Sequence, residues 1–97
     1  MTIIKLTDAQ MTALETAGIF ECPHGDDEIA LCNAIGDGGK LATDDPDYIA
    51  CIVCELSNQA DELAGMTDDA ERRAMYRKDS RVLTNLMIKI RATQATN

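Results

Sequence analysis

Residues 46 to 65 constrain the fold more than any other stretch of the chain. Ile49, Ile52, Val53, Leu56, Ala60 and Leu63 recur at the three-and-four spacing of one helical face. Asp45 and Pro46 open this segment as cap and first helical residue, and Gly65 closes it. A stripe of that length on a small chain has to be covered by other helices. The same punctuation marks out the partners. Thr7 and Gln10 have capping-box spacing, with Leu6 and Met11 at staple spacing, and Gly18 offers a left-handed stop. A helix is therefore expected over about residues 8 to 17, with Met11, Leu14 and Ala17 on one face. Pro23 and Gly25 mark a turn. Asp26, Asp27 and Glu28 then suit the positive end of a helix running to about Ile35, with Ile29, Cys32 and Ile35 in line. Gly36-Asp37-Gly38-Gly39 is a loop. Thr67 caps the last segment, which carries Met75, Val82, Leu83, Leu86 and Ile90, with Asp79-Ser80 expected to kink or divide it.

Strand-like alternation is confined to a short stretch at Ile3-Ile4. The expectation is an all-α bundle of four or five helices in a single domain, 1–97, with order fading over the last few residues. Leu14, Ile29, Ile52, Leu56, Leu63, Leu83, Leu86 and Ile90 are expected inside. Aromatics are limited to Phe20, Tyr48 and Tyr76, so aliphatic packing must supply the core. No apolar run approaches the ~20 residues of a membrane span, and the N-terminus lacks a secretory pattern, which predicts a cytoplasmic protein without membrane contact. Its cysteines are then expected as thiols.

Charge is divided sharply along the chain. Residues 1 to 71 hold sixteen acids against Lys5 and Lys40, whereas the remainder holds seven bases against Asp79 alone. The total is −8. An acidic body of this kind attracts basic partners and opposes direct nucleic-acid binding. Arg72 and Arg73 are expected to pair with Asp68 and Asp69 at i,i+4, each pair contributing about 0.3 kcal/mol. The clusters Asp26, Asp27 and Glu28, and Asp44, Asp45 and Asp47, together with Asp37, are the candidate partner-binding residues. Charge gives no reason to expect an oligomer, so a monomer is expected.

No catalytic constellation competes with the charge. Gly36 to Lys40 ends like a phosphate loop, but Leu41 stands where Ser or Thr would ligate magnesium. Cys22, His24, Cys51 and Cys54 could fill a tetrahedral zinc shell. Cys51 and Cys54 fall inside a continuous helix, however, and Cys32 lies on an apolar line, so core thiols are expected and no cofactor. A zinc-stabilised scaffold or accessory module is the alternative reading. His24-Gly25-Asp26-Asp27-Glu28 resembles the His-Pro-Asp-Asp-Glu box of zinc-dependent deacetylases of the N-acetylglucosaminylphosphatidylinositol type. That resemblance implies His24 and Asp27 on zinc and Asp26 as base. Gly25 replaces the Pro, there is no second His, and the chain lacks room for that family's parallel sheet, so no enzyme is expected.

Two segments carry a different resemblance: Ile19-Phe20-Glu21-Cys22-Pro23-His24-Gly25-Asp26-Asp27-Glu28 and Ala34-Ile35-Gly36-Asp37-Gly38-Gly39. With the short acidic chain and the missing catalytic site, they resemble the small acidic phage- or mobile-element-encoded anti-CRISPR proteins that inhibit type I-F Cascade. The resemblance implies a stoichiometric inhibitor in a bacterial host that docks on Cas subunits of the surveillance complex. It would block target DNA binding or duplex opening, with its acids as the contacts.

Overall fold

The computed structural model describes the chain except Cys22, His24, Asp37 and residues 96–97, with positions 94–95 described by backbone alone. Its elements run β1 (Thr2–Lys5), α1 (Asp8–Thr16), α2 (Gly25–Ala34), β2 (Ile35–Gly36), β3 (Lys40–Thr43), α3 (Pro46–Met66) and α4 (Ala70–Ala95). The molecule is mostly helical, as the sequence predicts, but it is not a pure bundle. A three-stranded antiparallel sheet in the order β1-β3-β2 packs against the helices.

α3 and α4 form an antiparallel hairpin that dominates the fold. The 26 residues of α4 at about 1.5 Å rise each span about 39 Å, which sets most of the 43 Å long dimension. Ile49, Ile52, Val53 and Leu56 of α3 are buried with Leu83, Leu86 and Ile90 of α4 in one core. α1 lies over α4 and adds Ala13 and Leu14, and the loop after it adds Ile19. The capping box forms as its spacing predicts: the Gln10 backbone N–H donates to Thr7 Oγ1 at 3.1 Å, and the Thr7 N–H to Gln10 Oε1 at 2.9 Å. Gly18 follows at φ +84°, a value only glycine adopts without strain.

Two expected core residues lie outside. Ile29 and Leu63 are both exposed. α2 instead turns Leu31 inward, fully buried. Its axis is fixed by the strand that follows, because Ile35 leaves the helix to pair with Leu41. On α3 the apolar stripe outruns its cover: Leu63, one turn before the connection to α4, borders an open pocket beside α1.

Ile4 lies opposite Leu41 in β3, and Leu41 is in turn opposite Ile35, so the three share one layer. Ile4 and Leu41 are buried, whereas Ile3 on the other face of β1 is exposed, the period-two pattern of a one-sided sheet. The chain reverses between Gly36 and Lys40, with Gly38 and Gly39 at φ +88° and +72°. Two successive positive φ values explain the Gly-Gly pair.

α4 is unbroken through Asp79 and Ser80, contrary to the expected kink. The Ser57 hydroxyl of α3 donates to the Ser80 carbonyl at 2.9 Å, and lies 3.1 Å from Ser80 Oγ and 2.6 Å from Thr84 Oγ1. The Ser80 side chain is thus engaged across the helix interface, which removes its usual competition with the helical backbone. Ser57→Ala should leave the Ser80 and Thr84 hydroxyls without their cross-helix partner, costing about 1–3 kcal/mol. A urea titration reads this as a lower midpoint, and an unchanged midpoint would contradict it.

The expected Asp68–Arg72 and Asp69–Arg73 pairs do not form. α4 begins only at Ala70, so Asp68 precedes the helix and Asp69 stands at its cap. The Asp69 carbonyl accepts from the Arg73 N–H at 2.9 Å, while its side chain turns to the first-turn backbone. Asp69 caps the helix instead, accepting from the Glu71 N–H at 2.9 Å, and its carboxylate stands 3.9 Å from Arg72. Arg73 donates to the Thr67 carbonyl at 3.0 Å. Among the described residues, no helix is long and apolar enough to cross a membrane.

Candidate functional site

The two leading acidic clusters, separate in sequence, meet in the fold. α2 begins at Gly25, which places Asp26 and Asp27 exposed in its first turn and Glu28 half-buried beside them. α3 begins at Pro46, with Asp45 as cap accepting from the Tyr48 N–H at 3.2 Å. Asp44, Asp45 and Asp47 are exposed. The Asp45 N–H is itself held by Thr43 Oγ1 at 3.0 Å, so the last residue of β3 fixes the start of α3.

Tyr48 joins the two clusters. Its hydroxyl donates to Asp27 Oδ1 at 2.5 Å across 21 positions of sequence. Its hydroxyl pKa is raised above the ordinary phenol value, first because ionisation would forfeit the hydrogen bond to the Asp27 carboxylate. Slight desolvation adds to this, as do the negative charges of Asp27, Asp26 and Asp45. All three acids therefore lie within electrostatic reach of one tyrosine. Two helix N-termini back this face and offset part of the repulsion among its carboxylates. The result is an exposed acidic surface on rigid helix ends, with an aromatic ring in its midst.

Tyr48 carries no local sequence signal for this role. Its position in the first turn after Asp45 was visible, but a contact spanning 21 residues has no local signature. Asp37, also a candidate, lies outside the described residues, as do Cys22 and His24.

The three described cysteines are free thiols, as expected, but only Cys32 packs against the core. Cys51 is exposed, and Cys32 and Cys54 are half-buried. Cys51 and Cys54 are one turn apart on α3, and the stripe Ile49-Ile52-Val53 takes the inward positions between them. Among the described residues, no three His, Cys, Asp or Glu side chains group as a metal site.

A second acidic feature lies apart from this face, between α1, α3 and α4. Asp79, in the middle of α4, is buried against α1, with a relative exposure of 9%. Burial raises its carboxyl pKa, and the neighbouring Lys78 only partly opposes this. The residues around it on α1 and α3 are uncharged: Ala9, Thr12, Ala13, Thr16 and Ala17 on the first, Leu56, Gln59, Ala60 and Leu63 on the second. A folded-state pKa above the unfolded one favours folding in acid, and that advantage is lost as pH rises through the folded value. At neutral pH the ionised Asp79 therefore costs stability. Asp79→Asn should raise the melting temperature at pH 7, and the gain over wild type should vanish as pH falls toward about 3. Melts across that range test it, and a gain independent of pH would assign the effect to packing alone.

Comparison with known proteins finds no family model, no curated protein and no solved structure that matches this chain.

Proposed function

We propose that this chain is a non-catalytic, protein-binding inhibitor whose acidic face docks on a basic, nucleic-acid-handling surface. The partner named by the sequence resemblance is a Cas subunit of a type I-F surveillance complex, whose target DNA binding or duplex opening the protein would block. The observation that carries this reading is the Tyr48–Asp27 bond, which ties the N-termini of α2 and α3 into one negative face. Lysine and arginine surfaces that normally hold phosphates would meet carboxylates at comparable density there. A tyrosine among them supplies the flat, amphipathic contact that protein interfaces favour.

The experiment is a mobility-shift assay of surveillance complex with target duplex, titrated with the purified protein. Loss of the shifted band should saturate at a fixed stoichiometry, and association measured separately should slow as salt rises. A protein that neither binds the complex nor changes its DNA shift would sink this reading.

A further inference from the structure

A pocket of about 100 Å³ opens between α1, α3 and α4. Ala13, Leu56, Ala60 and Leu83 are its buried residues, and Thr16, Gln59 and Leu63 are its exposed ones. Asp79 stands in its wall, largely buried as a residue but with its carboxylate oxygens still reaching solvent, and with no hydrogen bond or ion pair to any described residue. A carboxylate in that position weakens the fold, so packing gives no reason for it. A cation entering the pocket would meet a carboxylate that no group on α1 or α3 pairs, and closing the pocket over both would strengthen their attraction.

Asp79 also borders a second cavity, of about 200 Å³, between α1 and α4. Lys78 lines that one and would repel an incoming cation, which leaves the first pocket as the cationic site. Its volume is well below the roughly 300–1,000 Å³ of pockets for whole small molecules. It suits the end of one side chain. Leu63 in the pocket and Met66 one turn further along α3 are 45% and 80% exposed. Apolar surface beside the mouth is best covered by a protein, which a free amine cannot do.

We propose that this pocket binds the end of an arginine or lysine side chain of a protein partner, with the stem against Leu56, Ala60 and Leu83 and the charge on Asp79. The inference deepens the reading of a basic partner, yet it uses none of the residues of the α2–α3 face.

The test is an amide NMR titration of the full chain at pH 7. The probe is Nα-acetyl-arginine methylamide, with its uncharged citrulline analogue as control. Saturable shifts are expected at Ala13, Ala60, Leu63, Tyr76 and Asp79, with the citrulline compound at least tenfold weaker. Asp79→Asn, which should fold at least as well as wild type, is expected to abolish the difference between the two probes. Ala17→Leu, which narrows the pocket and keeps the carboxylate, should weaken arginine binding at least tenfold. Equal binding of arginine and citrulline probes, no saturable shift, or an Asp79→Asn variant that still prefers arginine would each overturn the proposal. So would an unaffected Ala17→Leu. Putrescine binding more tightly than the arginine probe would assign the pocket to a free diamine and overturn the partner side chain. Failure here with intact Cascade binding removes the pocket alone. Probe binding here without any Cascade binding removes the identity of the partner and leaves the pocket.

Discussion

Leu86→Ala is expected to lower stability by about 2–5 kcal/mol, toward the upper end of that range. Leu86 is fully buried on α4 in the core shared with Ile49, Ile52 and Val53 of α3. Removing its branched end creates a void inside a fully buried core that the surrounding residues can only partly fill. Leu56→Ala offers the comparison. Leu56 is nearly as buried, but it lines the pocket beside Asp79, which already opens to solvent. A void there merges with existing space, and the lost packing is smaller. The expected order is therefore Leu86 above Leu56. For a domain with roughly 5–15 kcal/mol in total, the larger loss removes a substantial share of the folded state's margin. Urea unfolding should show both midpoints lowered at constant slope. Equal losses would mean that the open pocket beside Leu56 does not soften its truncation, and Leu86→Ala below about 1 kcal/mol would mean the α3–α4 interface is not the main source of stability.

The helices were legible because their signals are local. The Thr7–Gln10 box, Gly18, and Asp45 with Pro46 all act within one turn of themselves, and each appears where its spacing predicts. Of the sheet, only β1 was legible, at Ile3-Ile4, because the rest of its information is spread across the chain. β2 has two residues and β3 four, too short to show alternation, and Ile35 continues a helical period until its pairing with Leu41 decides otherwise. Ile29 and Leu63 fail as core residues for a related reason. A helical stripe shows which face is apolar but not how far a neighbour covers it. Asp79-Ser80 carried a true local preference against helix that Ser57, 23 positions away, overrides. The candidate site was half legible in the same sense. Both acidic clusters could be named from sequence, but not their convergence on Tyr48.

That convergence makes the charge experiment sharper than reversal of a single cluster. Asp27→Asn keeps an oxygen to accept from Tyr48, and Asp45→Asn keeps a good helix cap, while each removes a charge. Asp26 makes no such structural bond and can be reversed to Lys. The triple variant Asp26→Lys, Asp27→Asn, Asp45→Asn should thus retain its helical circular dichroism. It should bind the surveillance complex at least tenfold more weakly, mainly through slower association, since charge complementarity acts most on the encounter rate. Its association rate should also depend less on salt than that of wild type. Lys substitutions at Glu15 and Glu55, both exposed and in neither acidic cluster, change the net charge by the same amount when made together. They separate the local face from the overall field. If the Glu15 and Glu55 pair weakens binding as much as the triple variant does, the partner senses only total charge. If wild type binds and the triple variant is unimpaired, docking lies elsewhere, and the exposed bases of α4 become the surface to vary. Tyr48→Phe distinguishes the remaining possibility. It keeps every charge but frees Asp27, so a loss confined to slower association would still be electrostatic, whereas faster dissociation would mean that the tyrosine hydroxyl, or the rigidity it gives the two helix ends, holds the partner in place.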